Sequence, residues 1–384
     1  MPLKDRLIYL DNNSTTKVDD RVIDKMIPFM KELYANPSSS HPFGKEVNLL
    51  ISEARKNVSN LIGCESKEII FTSGATEAIN LALKGIAQSS HFNRKKIITI
   101  STEHKAVLDT CKSLEDQGFE IVVHPVNTDG TIDIDSFSNI VDEETLLVAA
   151  MYVNNETGVI HDIKRMAEIA HEKGAVFFCD ATQAVGKIQV DINELEVDML
   201  CFSGHKFHGP KGVGALYVNN AIKNKMQAQQ TGGGQESGLR SGTSNTGGIV
   251  GLGEACKIFA IEIKETKVKV AKLRDQLESE LLKIPGTFIN GNTESRIFNT
   301  TNICFPNNDA NVIIGQLKNI AVSNGSACTA LIVEPSHVLS AMGLDNDLAF
   351  ASLRFSLSKY NTENEIKLVA AEISKLLVQN TVTQ

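Results

Sequence analysis

The sequence predicts an α/β protein, with a large domain built on a mostly parallel sheet and a smaller α+β region beside it. Short, continuously apolar runs alternate with helical patterns from Lys67 to about Val218, as strands buried on both faces do. The chain has 384 residues, 42% of them hydrophobic, enough for a large core and about two domains by the usual size relation. After Gly253 a long helical pattern interrupts the alternation. These features place the large domain at residues 18–258 and the smaller one at 1–17 together with 259–384.

In chain order, "EIIFT" (68–72) precedes the helical "GATEAINLALKGIA", and "KIITI" (96–100) precedes "HKAVLDTCKSLEDQG". "LLVAAMY" (146–152) comes before "DIKRMAEIAHEKG", and "AVFF" (175–178) and "DMLCF" (198–202) continue the series. The helical stretch "EACKIFAIEIKETKVKVAKLRDQLESELLKI" then leads to "TTNICF", "NVIIGQLKNI" and "ASLRFSLS". A closing helix is opened by Thr362 and Glu365 at capping-box spacing. The extreme N-terminus is expected to pack on this second region.

The net charge of -8, with no basic run to offset it, argues against direct nucleic-acid binding. The opening "MPLKDRLIYLDNNSTT" has no apolar signal core, and no apolar run approaches a membrane span; a cytoplasmic protein is expected. Seven scattered cysteines without a CxxC fit neither a disulfide framework nor a zinc site. Six are expected to be small core residues. The seventh, Cys328, sits in "SNGSACTALIVEP", among residues too small to bury it.

Ligands of open α/β sheets collect at the carboxyl ends of the strands, so polar residues after apolar runs are the candidates. After "EIIFT", the amides of Ala75 and Thr76 open a helix whose dipole suits a phosphate, or simply start an ordinary helix. Asp180 follows "AVFFC", and Lys206 follows "DMLCF". A desolvated lysine amine can condense with an aldehyde, and an adjacent carboxylate can hold a pyridinium nitrogen protonated. With the phosphate turn, these are the three groups pyridoxal phosphate requires. His104 after "KIITI" is placed to stack on a flat cofactor or shuttle protons, or to cap a helix. His205 and His208 flank Lys206, but without a third ligand no metal site is expected. "TGGGQESGLRSGTSN", with Arg240, suits a second phosphate contact and is not a P-loop. Arg354 is either a clamp for a substrate carboxylate or an exposed strand arginine.

"YLDNNSTT", "NPSSSH", "FTSGATEAIN", "NNETG", "DATQAVGKI", "SGHKFHGPKGVG", "GGGQESGLRSGT" and "SNGSACT" together resemble the class I, NifS/IscS-like cysteine desulfurases over nearly the whole chain. The resemblance implies the pyridoxal-phosphate-dependent transferase fold of aminotransferase fold type I, and a homodimer. It implies that Lys206 is the Schiff-base lysine, Asp180 the pyridine-nitrogen partner, Gln183 a donor to the phenolic oxygen and His104 the stacked residue and proton carrier. Ala75, Thr76, Ser203 and His205 match the phosphate cradle, and Thr243 matches a residue reaching the other subunit's phosphate. Asn155 and Arg354 match the residues orienting the carboxylate of L-cysteine. Cys328 matches the catalytic cysteine, which carries sulfur as a persulfide to an acceptor protein. Asn13 and Ser14 stand where the family commonly has alanines, and are expected to be tolerated variation near the small domain. The chain stops soon after its last helix, without the longer extension with which IscS-type enzymes dock their iron-sulfur scaffold. Its length is closer to NifS-like enzymes or to those supplying sulfur for DNA phosphorothioation. A related lyase or aminotransferase with Cys328 incidental, and a non-catalytic cofactor-binding scaffold, are the rival readings.

Overall fold

The computed structural model describes residues 7–325 and 334–382, so Cys328 lies outside the described residues. Strand β1 (Ile8–Tyr9) pairs in parallel with a short strand near residue 320. The next seven strands form one sheet: β2 (Ile69–Thr72), β3 (Lys96–Ile100), β4 (Glu120–His124), β5 (Thr145–Met151), β6 (Val176–Asp180), β7 (Met199–Ser203) and β8 (Gly214–Val218). Their spatial order is β2-β8-β7-β6-β5-β3-β4. Every pairing is parallel except those of β8, which runs antiparallel to both β2 and β7. Strands β2, β3, β5, β6 and β7 therefore present their carboxyl ends along one edge.

Both faces of the sheet are covered, as the continuous apolar runs require. Ile98, Val148, Phe177 and Leu200 belong to one core cluster, while Ile97, Leu147, Phe178 and Met199 belong to a second on the opposite face. Two strands escaped the sequence reading. Edge strand β4 mixes exposed, half-buried and buried residues without a period, and β8 follows directly on the glycine-rich turn after Lys206.

The long helix runs from Thr246 to Leu281 and starts eight residues earlier than the sequence suggested. Its first turns, "TGGIVGLG", are poor helix formers, each glycine costing about 1 kcal/mol against alanine. Packing overrides that preference. A Cβ on Gly253 would stand 2.6 Å from the Ala54 Cα, so the glycine lets this helix approach the helix Pro42–Ile62 closely. Residue 258 lies inside this continuous helix.

The remaining strands are β9 (Phe288–Ile289), β10 (Thr300–Cys304), β11 (Ile320–Ala321) and β12 (Ser352–Ser356). They form an antiparallel sheet of order β12-β10-β9, with β11 completing the pair with β1. Leu10 is fully buried, and the amide of Asn12 donates to the Ser356 carbonyl, so the N-terminal segment does pack on this region. The closing helix Glu363–Val382 begins with the expected capping box: the Thr362 amide donates to Glu365 Oε2 at 2.9 Å and the Glu365 amide to Thr362 Oγ1 at 3.4 Å. Among the described residues, no helix is long and apolar enough to cross a membrane.

Candidate active site

A cavity of about 1060 Å³ opens at the carboxyl edge of the large sheet. Lys206, Asp180, His104, Gln183, Asn155 and Arg354 all line it, as do Ala75, Thr76, Ser203 and His205. Strand ends far apart in sequence are thus brought to one place, as the sheet-edge rule anticipates. Thr243 is exposed and lies outside this wall.

Asp180 ends β6 with its side chain buried; Oδ1 accepts the Thr182 amide at 2.9 Å and lies 3.6 Å from Cys201 Sγ. Lys206 follows β7 in a short 3₁₀ turn, Gly204–Lys206, that aims its side chain back into the cavity. Its Nζ donates to the carbonyls of Asn13 at 2.8 Å and Ser14 at 2.9 Å. Burial, aided by the Arg354 charge, pulls the Lys206 amine down to about 8. A neutral, nucleophilic amine is then accessible near physiological pH.

The helix Ala75–Ala87 starts at Gly74, which has no side chain with which to cap it. Its first-turn carboxylate would oppose an anion there, but Glu77 is neutralised by Arg240 at 2.7 Å. Arg240 itself does not line the cavity but pairs with Glu77, which does. Among the described residues, Ser203 Oγ makes a long bond of 3.5 Å to the Val213 carbonyl. His205 Nδ1 is 3.1 Å from Thr15 Oγ1, and burial brings its imidazole down to about 4, so the ring is neutral at pH 7.

His104 caps a helix and also lines the cavity. Nδ1 accepts the Ala106 amide at 3.0 Å and caps the helix Lys105–Glu115, while the ring lines the cavity. That bond assigns the proton of the neutral ring to Nε2. Burial holds this imidazole below its ordinary value, against the pull of the Asp180 charge. Arg354 is not an exposed strand arginine. It is 3% exposed on β12; Nη2 donates to Asp11 Oδ1 at 2.6 Å and Ser14 Oγ at 2.8 Å, and Nη1 to the Asn155 carbonyl at 3.1 Å. Its Nε is buried with no acceptor among the described residues.

Four residues at this site were missed or misjudged from sequence. Asn13 is no peripheral variation but the hub of the site. Its Nδ2 donates to the Asn155 carbonyl at 3.0 Å and Thr300 Oγ1 at 2.9 Å, its Oδ1 accepts from Lys187 at 2.8 Å and Asn299 at 3.3 Å, and its carbonyl accepts from Gln183 as well as Lys206. Ser14 bridges Arg354 and Asp11. Lys187 is buried against Asn13 Oδ1 and Gln183 Oε1, and burial pulls its amine well below the ordinary lysine range. Glu156 is 2% exposed in the cavity wall, where burial pushes its carboxyl up to about 7. The "DNNSTT", "NNETG" and "QAVGK" motifs contained these residues, but only the fold reveals their meeting.

The other six cysteines are partly or wholly buried. Burial pushes the thiols of Cys64 and Cys111 up to about 12 and that of Cys304 up to about 11, and lifts the remaining three as well. Such thiols are poor nucleophiles at neutral pH. His208, the lysine's other histidine neighbour, is turned to the Lys17 carbonyl at 2.9 Å.

The chain matches the family model for class-V aminotransferases over residues 8–369. It is 45% identical over 375 residues to the cysteine desulfurase IscS of Dechloromonas aromatica, covering 96% of this chain and 93% of that one. Among solved structures, a NifS-like protein superposes with a TM-score of 0.91 at 40% identity, covering 97% of this chain and 99% of the other. SspA in complex with cysteine superposes with a TM-score of 0.83 at 35% identity over 92% of this chain and all of that one. A lowered lysine amine facing a buried carboxylate at a sheet edge is what a pyridoxal-phosphate-dependent class-V fold requires, and the agreement runs nearly end to end. The chain belongs to the class-V aminotransferases and, within them, to the NifS/IscS-like cysteine desulfurases.

Proposed function

We propose that this chain converts L-cysteine to L-alanine, holds the sulfur as a persulfide on Cys328 and passes it to an acceptor protein. The observation that carries the reading is the meeting of Lys206, Asp180 and an uncapped helix N-terminus in one cavity with the buried Arg354.

These residues fit pyridoxal 5'-phosphate. Lys206 would carry the aldehyde carbon, Asp180 would keep the ring nitrogen protonated, and Gln183 would donate to the phenolic oxygen. The amides of Ala75 and Thr76, with Ser203 and neutral His205, would hold the phosphate, with Thr243 contributed across a homodimer. When bound, the cofactor supplies an electron sink for a carbanion beside the amino-bearing carbon.

The chain's own groups do the rest. Arg354 would orient the substrate carboxylate, and the Asn155 carbonyl fixes the guanidinium plane. Lys206, as the free amine, removes the proton from the substrate Cα. His104, with its proton on Nε2, serves as a carrier on the cavity side. The Cys328 thiolate attacks the substrate Sγ; the Sγ–Cβ bond breaks, its electron pair stays with Cβ, and Cβ takes up a proton to become the methyl group of alanine. One thiol and one cysteine give one persulfide and one alanine, so no external oxidant is needed. The sulfur would then serve iron-sulfur cluster assembly or nucleic-acid modification through its acceptor.

The test is to load the purified protein with pyridoxal phosphate, add L-cysteine, and follow alanine and the mass of the Cys328 peptide. Alanine together with one added sulfur on that peptide is expected, and Cys328→Ser should keep the cofactor absorbance but lose the persulfide. Sulfide release at an unchanged rate in that variant would overturn the assignment of Cys328.

A further inference from the structure

Residues 326–333, which include Cys328, are flanked by Gly325 and Ser336 within the cavity wall, and both flanks meet the same carboxyl group. Ser336 Oγ donates to Glu156 Oε2 at 2.5 Å, in a contact where Ser336 and Glu156 are 3% and 2% exposed. Gly325 packs against the same oxygen so tightly that a Cβ there would stand 2.3 Å from it, and its φ of +82° already excludes most side chains. Glu156 is itself rigidly held. Asn154 Oδ1 accepts its amide at 2.9 Å and the Thr157 amide at 3.0 Å, while Asn302 donates to its carbonyl at 3.4 Å. The preceding residue, Asn155, accepts from Arg354. One dipeptide therefore touches both the substrate-facing arginine and the two flanks. Glu156 lies outside the strands of the large sheet, so neither contact is part of its ladder.

We propose that Glu156 is a positioning residue for Cys328: its carboxyl group accepts from Ser336 on one flank and packs against Gly325 on the other, holding both against the wall that carries Arg354. The inference rests on the persulfide reading of Cys328. It assigns Glu156 to the sulfur-accepting half of the reaction and not to the half that Lys206 performs.

Two measurements on the loaded enzyme separate these halves. One is the rate at which the Cys328 peptide gains sulfur in a single turnover with L-cysteine. The other is the exchange of the Cα proton of L-alanine with solvent deuterium, which needs Lys206 but no thiol. Glu156→Ala should slow sulfur gain by about tenfold or more, as expected for loss of a charge-assisted bond, and leave exchange within about twofold. Glu156→Gln should restore most of the rate, because an amide oxygen can still accept the Ser336 hydroxyl. Ser336→Ala should slow sulfur gain while sparing exchange, and it should not add to Glu156→Ala in the double variant, since both remove one contact. If Glu156→Ala does not fold, the Ser336→Ala and Glu156→Gln results decide alone. Equal loss of sulfur gain and exchange, unchanged sulfur gain in Ser336→Ala, or additive effects would each overturn the proposal. A wild-type protein that exchanges the alanine proton but never gains sulfur on Cys328 would instead overturn the persulfide reading, and the proposal with it.

Discussion

Asn13→Ala removes four side-chain hydrogen bonds: two donated, to the Asn155 carbonyl and Thr300, and two accepted, from Lys187 and Asn299. Leaving four buried groups unsatisfied would cost roughly 4–12 kcal/mol at about 1–3 each. The structure argues for much less, because every partner keeps another bond. Asn155 still receives Arg354, Thr300 still donates to Asn299, Lys187 still reaches Gln183, and Asn299 still donates to the Leu357 carbonyl. Each loss is then nearer the net value of an ordinary bond, about 0.5–1.5 kcal/mol, and the sum is about 2–6 kcal/mol. Urea unfolding of the cofactor-free protein, followed by far-ultraviolet circular dichroism, measures this directly, provided the slope with denaturant is unchanged. The Asn13 carbonyl is backbone, so Lys206 keeps its acceptor and the variant should still bind pyridoxal phosphate. A loss below about 0.5 kcal/mol, typical of an ordinary surface substitution, would refute the account of Asn13 as a hub. A loss above about 6 kcal/mol would refute the claim that its partners are doubly bonded.

Lys206→Met should stabilise the cofactor-free protein at pH 7. The folded-state amine is lowered to about 8 from its ordinary 10.5, so the unfolded chain binds more protons between these values and wild-type stability rises with pH there; the variant's advantage should therefore shrink from pH 8 to pH 10.5, and an advantage independent of pH would contradict the lowered amine. His171 shows the opposite sign. Its hydrogen bond to Asp198 at 2.8 Å raises the imidazole above 6.5, so its contribution is fully present below pH 6.5 and is lost as pH rises through the raised value. His171→Asn should be destabilising at pH 5.5 and nearly neutral at pH 9, and equal losses at both would refute the pairing. Gly253→Ala tests the helix contact: the gain in helix propensity is about 1 kcal/mol, but the new Cβ would press on the Ala54 backbone at 2.6 Å. Overpacking at about 1–3 kcal/mol should prevail, and a higher denaturation midpoint in the variant would show that the two helices can separate freely.

The elements legible in the sequence were those whose local pattern states their environment. β3, β5, β6 and β7 are buried on both faces, and their apolar runs say so. β4 was obscure because an edge strand has one wet side and reads as mixed. The start of the helix Thr246–Leu281 was hidden because its glycines answer to Ala54 and Met26, which are distant in sequence, and not to local propensity. The site divides in the same way. Lys206, Asp180, Ala75 and His104 were found because each directly follows a strand, and the family resemblance added Gln183 and Asn155. Asn13, Lys187 and Glu156 were not, because what singles them out is a partner elsewhere: Asn13 with Thr300 across 287 positions, Glu156 with Ser336 across 180. Arg354 was seen, but its burial and its bond to Asp11 were not, since an alternating strand reads alike whether its polar face meets water or a carboxylate.

The N-terminal segment has a consequence for the making of the protein. Asn13 and Ser14 leave the ribosome well before Thr300, Arg354 and Ser356, to which they bond across 287 to 343 positions. At about 5–20 residues per second, tens of seconds of synthesis separate the two halves of one hydrogen-bond network. The large sheet can form during that interval, but the Lys206 amine and the Arg354 guanidinium share a common framework only once Arg354 has been synthesised. A nascent chain that has not yet reached Arg354 therefore lacks the framework that ties this guanidinium to the segment holding the Lys206 amine.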